Sequence, residues 1–306
     1  MQMTLGSENL WPSLQAMSSP SCSIYRQLRP TKILDVSDGT FTVLSYNLLA
    51  QHHIWPDSLP YSPTRPKGCL RLHARMARLK DELLAYLPDV GGLQEVSAYK
   101  SSLQPLLQSL GYSSFFQEKG QDGLVVFYRT SQFTCLSYEF IQLPIPADQS
   151  DSIPNIAQFI KLKTLDREFL LINTHLYWRW DYEETRLDQL DLILSRIQDD
   201  KLNRSCVILL GDLNSNPSSL LYKRLASKFE SVYSRHEHPS GEPAWTNYTA
   251  DFKSCLDYIW ITPHNIKPVS LLKMPAGEVL NEQVALPNEI FLSDHLALVC
   301  QLKLIN

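Results

Sequence analysis

Residues 206–219 read CVILLGDLNSNPSS: an apolar run that stops abruptly at an acid, with an amide two residues further on. The run over 206–212 reads as a strand. If the chain stays extended past it, Asp212 and Asn214 point to the same side. One carboxylate and one amide oxygen aimed together suit a hard cation, or a water poised over a phosphate. A Gly-Asp turn followed by an Asn cap is the plain alternative for either residue alone.

The same grammar recurs along the chain. FTVLSYNLLA (41–50) is a strand with polar Asn47 at its end, and DVGGLQEV (89–96) is a shorter one ending at Glu95. Asn47 by itself reads as a turn residue. Glu95 must be solvated, paired or bound to metal, because burying a lone carboxylate is costly. INTHLYW (172–178) delivers His175 from a strand end, with Trp178 and Arg179 following. LDYIW (256–260) sets Asp257 among apolar neighbours, and LSDHLAL (292–298) places Asp294 and His295 against the last strand. An imidazole held by a buried carboxylate is a recurrent way to fix a group for phosphate contact, so Asp257 and His295 are expected to pair.

Further strands are expected at 123–128, 158–164, 168–174, 256–262 and 295–304. Helices are expected over 70–87, with Leu72, Met76, Leu79, Leu83 and Leu84 at helical spacing, over 102–112, over 183–199 and after Pro217. Segments 52–68 and 231–254 read as long surface loops, and 1–38 as a partly ordered extension before a domain spanning 39–306. Strands outnumber helices, which come singly between them. This predicts an α/β fold of two packed β-sheets with helices outside, a four-layer α/β sandwich.

Composition narrows the function. At 306 residues and 44% hydrophobic, the chain can build a large core, and a net charge of −4 argues against generic coating of polyanions. It leaves room for a nuclease, in which a metal rather than a basic surface attracts the phosphate. The six cysteines lie far apart with no CxxC pair, so neither a zinc ribbon nor a small disulfide framework is expected. Cys206 and Cys300 sit in apolar strands as small hydrophobes. No run approaches the roughly 20 apolar residues of a membrane span, and the start of the chain lacks a secretory apolar region. A reducing, cytoplasmic location fits. No GxSxG elbow accompanies Ser45, Ser215 or Ser293, so a covalent serine mechanism is not expected. His52, His53, His236 and His238 read as solvated, and Arg179, Arg186 and Lys253 as either phosphate contacts or surface charges.

SYNLLAQ (45–51), LQEV (93–96), DGLVVFYR (122–129), NTHLYW (173–178), GDLNSNP (211–217), TNYTADFKSCLDYIW (246–260) and SDHLAL (293–298) follow one another in this order. Together they resemble the endonuclease/exonuclease/phosphatase superfamily, and within it the Ccr4-type branch of deadenylases, nocturnin, Angel proteins and 2′-phosphodiesterase. HLYWRWDYEETRLDQ (175–189) resembles the fungal Ngl-type RNA exonucleases in particular. The resemblance implies a DNase I-like fold and Mg²⁺ (Mn²⁺ as a substitute) held by Asn47, Glu95 and Asp294. It implies phosphate contact by His175, water activation by Asp212 with Asn214, and support by Asp257 with His295. Phe252 falls where an aromatic stacks on a base, a role it shares with that of a simple loop anchor. Trp178, Arg179 and Asn288 complete the expected substrate contacts. The implied reaction is metal-assisted 3′–5′ hydrolysis of RNA. The alternative is a phosphatase of the same scaffold, acting on a 2′,3′-cyclic phosphate, a dinucleotide 2′-phosphate or an inositol phosphate. Leucine-rich repeats that would dock the chain into a deadenylase assembly are absent, so a monomer outside that complex is expected.

Overall fold

The computed structural model describes residues 39–54, 68–149, 153–165, 167–197, 205–234, 241–275 and 285–305. The expected extension over 1–38, most of the loop over 52–68, and His236 and His238 lie outside them.

Among the described residues, fourteen strands run in chain order: β1 (Thr40–Asn47), β2 (Val90–Gln94), β3 (Tyr112–Lys119), β4 (Asp122–Arg129), β5 (Thr134–Gln142), β6 (Ile156–Thr164), β7 (Arg167–His175), β8 (Val207–Asp212), β9 (Glu230–Ser231), β10 (Asn247–Tyr248), β11 (Lys253–Ser254), β12 (Asp257–Ile261), β13 (Ile266–Leu271) and β14 (Leu298–Leu304). They form two six-stranded sheets, ordered β13-β14-β1-β2-β4-β3 and β5-β6-β7-β8-β12-β9, and a small β10-β11 hairpin. Helices α1 (Leu72–Tyr86), α2 (Gln104–Ser109), α3 (Glu183–Ser195) and α4 (Leu220–Ala226) connect them.

Alternation along the strands builds the layers. In β8, Ile208 and Leu210 enter the core between the sheets, while Val207 and Leu209 face α3 and α4. In β1, Phe41 and Val43 point inward, while Leu44 and Tyr46 pack beneath α1. Both faces of the central strands are covered, which is why their sequences are continuously apolar. The expected four-layer sandwich is the observed one.

Local differences have physical causes. The helix over 70–87 is α1, ended by Leu87 in the left-handed region, with Pro88 next. Its buried face carries Arg75, Leu79, Glu82, Leu83 and Tyr86, whereas Leu84 is 44% exposed. Helical spacing of apolar residues takes in Leu84 and passes over Arg75 and Glu82, because a buried polar residue leaves no mark in an apolar pattern. Strands β3, β5 and β13 were not expected; they lie at sheet edges, where mixed burial blurs the period. The expected loops contain structure too: a 3₁₀ turn at Gln51–His53, and β9, β10 and β11 within 231–254.

The two sheets are joined beneath the site by buried amides. Asn173 of β7 donates to the carbonyls of Leu93 and Val125 and to Gln158 Oε1, and accepts from Gln94 Nε2 at 2.7 Å. Gly92 makes room for this network: a Cβ there would lie 2.4 Å from Leu210 Cδ1 and 2.6 Å from the Asn173 amide.

Candidate active site

Strand register gathers the polar ends. β7 and β8 run parallel with His175 opposite Asp212, and β12 runs antiparallel to β8 with Asp257 opposite Asp212. In the other sheet β1 and β2 are parallel, with Asn47 opposite Gln94, so Glu95 follows at the same level. His295 bridges to Asn247 of β10, which brings the chain before β14 to the same mouth.

Asn47 joins the two sheets. Its Nδ2 donates to Glu95 Oε1 at 2.9 Å and to Asp212 Oδ2 at 3.0 Å, while its Oδ1 accepts from Leu49 N. The amide would turn its oxygen toward a cation between the carboxylates only by rotating. Glu95 Oε2 accepts from Ala50 N. Glu95 has φ 53° and Asn214 has φ 48°, both in the left-handed region. Such backbone is costly for residues with side chains and tends to be retained at functional sites.

Asn214 therefore departs from the extended geometry that sequence suggested. Its backbone N–H donates to Asp212 Oδ1, and its side-chain Nδ2 to the carbonyl of Leu176. It holds the ends of β7 and β8 in place. Asp212 Oδ2 faces two imidazoles, with His175 Nε2 at 3.6 Å and His295 Nε2 at 3.7 Å. His295 Nδ1 lies 2.8 Å from Asp257 Oδ2, which also accepts from Thr246 Oγ1.

Burial and the neighbouring Asp257 push the Asp212 carboxyl up to about 7, against the pull of His295, the Asn214 amide and Asn47. Burial alone would raise Glu95, but His175, the Ala50 amide and Asn47 bring it down to about 2. Burial holds His175 well below its usual range. Burial would lower His295 as well, but Asp257 and Asp212 keep it well above its ordinary value. Burial raises Asp294, with the nearby charge of Glu95 adding to the effect. The arrangement pairs an ionised carboxylate, a carboxylate poised near neutrality and a protonated imidazole, which is equipment for moving a proton beside a developing anion.

Glu95, His175 and Asp212 offer ligand atoms within 4.8 Å of one another, and so do Asp212, Asp257 and His295. Two carboxylates from opposite sheets with an adjacent imidazole fit a divalent cation. His52 and His53 are not isolated: their Nε2 atoms lie 3.6 and 3.9 Å from Asp122 Oδ2, beside this mouth.

The substrate candidates are dispersed around it. Trp178 is 70% and Phe252 49% exposed. Arg179 pairs with Asp181 at 3.0 Å and lies over the Tyr182 ring. Asn288 is buried, and its Oδ1 caps the Ile290 and Phe291 amides. Arg186, a candidate for phosphate contact or surface charge, is buried among backbone carbonyls. Lys253 sits over the rings of Trp245 and Tyr248. Sequence reading missed Arg75, which is buried and donates to the carbonyls of Leu48, Leu49 and Leu292, tying the turn after Asn47 to the segment before His295. A helix residue bonded to loop carbonyls leaves no periodic signal.

The model of the Endonuclease/Exonuclease/phosphatase family matches residues 44–295, from β1 through His295. The chain belongs to this family. Among its relatives, 2′,5′-phosphodiesterase 12 of Bos taurus is 30% identical over 340 residues, covering 91% of this chain and 54% of the relative. The CCR4-Not complex 3′-5′-exoribonuclease subunit Ccr4 of Candida glabrata is 26% identical over 87% of this chain and 37% of its own length. The chain thus spans about half the length, or less, of these two relatives. The crystal structure of ANGEL2, a 2′,3′-cyclic phosphatase, in complex with adenosine-2′,3′-vanadate superposes with a TM-score of 0.78. It is 23% identical and covers 87% of this chain and 96% of that one, a likeness of family fold. Among the described residues, no helix is long and apolar enough to cross a membrane.

Proposed function

We propose that the protein is a divalent-metal-dependent 3′–5′ exoribonuclease acting through water. The observation that carries this reading is the double donation of Asn47, which holds a carboxylate of each sheet in one mouth. Glu95 would be the principal ligand of a Mg²⁺ ion, for which Mn²⁺ would substitute, with Asn47 and Asp294 as the further residues that would hold it. Oxygen donors predominate there, as this hard cation prefers. The bound ion supplies Lewis-acid charge at the phosphoryl oxygens.

The chain's own groups do the rest. Asp212, with a carboxyl near neutrality, orients the attacking water and accepts its proton. Asn214 fixes that carboxylate through its backbone N–H. His295, kept protonated by Asp257, donates toward the negative charge that grows on the phosphate, and His175 lines the other flank. Phe252 supplies a face for a base. The family supports this chemistry, and the exoribonuclease activity of the Ccr4 relative supports RNA as the substrate class.

A second reading, release of a 2′-linked or cyclic phosphate from RNA ends, is favoured by the two relatives named for such phosphoesters. One experiment separates the readings. A 5′-labelled RNA, in one form with a free 3′-hydroxyl and in another ending in a 2′,3′-cyclic phosphate, is incubated with Mg²⁺, with EDTA and with Glu95→Gln protein. Stepwise shortening that needs both the ion and Glu95 is expected. Phosphate release without shortening selects the second reading, and internal cuts discard the exonuclease.

A further inference from the structure

Between β7 and α3 the chain exposes two indoles, Trp178 at 70% and Trp180 at 85%. Large aromatic side chains are ordinarily among the most buried, and clustered exposure marks a surface that something else covers. Neither indole stacks on another ring among the described residues.

The loop that carries them is tightly held. Arg186, 4% exposed, donates to the carbonyls of Tyr177, Arg179 and Trp180 and to Ser215 Oγ. Gln189 Oε1 accepts from Tyr177 N at 2.9 Å, and Tyr182 Oη donates to Asp148 at 2.6 Å. These bonds satisfy much of the loop's polar backbone from within, and the two indoles are offered outward beside the exposed Arg179–Asp181 pair. Ser215 lies just past Asp212, so the same guanidinium ties the loop to the end of the strand that carries the water-activating carboxylate.

Position matters as much as exposure. In the sheet, β8 lies between β7 and β12. The indoles therefore leave one flank of Asp212, and Phe252, 49% exposed in the hairpin that leads into β12, stands on the other. Exposed aromatics bracket the mouth.

We propose that Trp178 and Trp180 form a base-stacking wall for single-stranded RNA, gripping unpaired bases beyond the nucleotide whose phosphodiester is cut, with Arg186 as the positioning residue. This rests on the phosphodiesterase reading above. The occupant follows from the surface. An indole face accepts any unstacked base. Bases of a duplex are already stacked on each other, and a small phosphate monoester leaves both indoles in water. Arg179, between them and paired only with exposed Asp181, is placed to exchange that partner for a backbone phosphate.

The test compares cleavage of a single-stranded octaribonucleotide and of a dinucleoside monophosphate, with binding followed by indole fluorescence in EDTA. Trp178→Ala and Trp180→Ala are each expected to raise KM for the octamer by about tenfold, with a much smaller loss on the dinucleotide. Trp180→Phe restores most of the octamer KM. RNA binding quenches the wild-type fluorescence, and the same sequence annealed to its complement quenches far less. Equal losses on both substrates, or no loss on either, overturn the wall while leaving the phosphodiesterase reading in place. RNA that quenches the indoles but is never cut leaves the wall standing and removes the phosphodiesterase.

Discussion

His295 Nδ1 and Asp257 Oδ2 lie 2.8 Å apart, both side chains buried, and the other face of the imidazole looks toward Asp212. The raised proton affinity of His295 depends on that neighbour. Asp257→Asn should therefore bring the His295 pKa down, which imidazole resonances followed against pH will report. A group with a raised folded pKa stabilises the fold below its unfolded value, near 6.5, and loses that contribution as pH rises through the folded value. The variant should accordingly lose most stability on the acid side, and the proposed RNA cleavage, measured at neutral pH, should fall by about 100-fold or more. An unshifted His295 titration would refute the pairing.

Asn47 bridges Glu95 and Asp212 with one neutral amide. Asn47→Leu leaves both carboxylates without that donor. A loss of about 1–3 kcal/mol is expected from an unsatisfied buried acceptor. Urea unfolding in EDTA measures it free of any bound ion, and an unchanged midpoint would contradict the bridge.

Glu82, buried on α1, has its carboxyl pushed up to about 8 by burial, in spite of a hydrogen bond from Tyr46. It is protonated in the fold at neutral pH, while the unfolded chain ionises it above about 4.5. Between those values the unfolded state binds fewer protons, so stability declines as pH rises, by up to roughly 1.4 kcal/mol per pH unit. Glu82→Gln should flatten this slope and be the more stable protein near pH 8. Parallel pH-stability curves for the two proteins would rule it out.

Gly92 faces the opposite sheet at close range, and a Cβ there would press on Leu210 and Asn173. Gly92→Ala should cost about 1–3 kcal/mol from overpacking, because the contacts are with buried groups that cannot swing away. Chemical denaturation reads the loss, and the proposed nuclease activity should fall with it, since Glu95 lies three residues further along the chain. A fully stable variant would show that the sheets can part at no cost.

How much of this was legible along the chain follows from the range of each interaction. Apolar runs ending in a polar residue exposed the central strands, their ends and the pairing of Asp257 with His295. Period alone misplaced Leu84 and passed over Arg75 and Glu82, since a helix face reads as apolar only if every buried residue is apolar. Asn214 was given an extended backbone because its positive φ leaves no mark in the local pattern.

By itself, the sequence determined the layered α/β class, the residue types at the strand ends and the order that marks the family. Periodicity, burial tolerance and motif order are local properties of the chain. Tertiary structure alone decided that Asn47 touches Asp212, 165 positions away, that Asn173 and Gln94 bond across the two sheets, and that Arg186 anchors the loop of two exposed tryptophans. These arrangements come from strand register and from the close approach at Gly92. Hydrogen bonds act over about 3 Å, and only the folded chain brings such distant atoms within that reach.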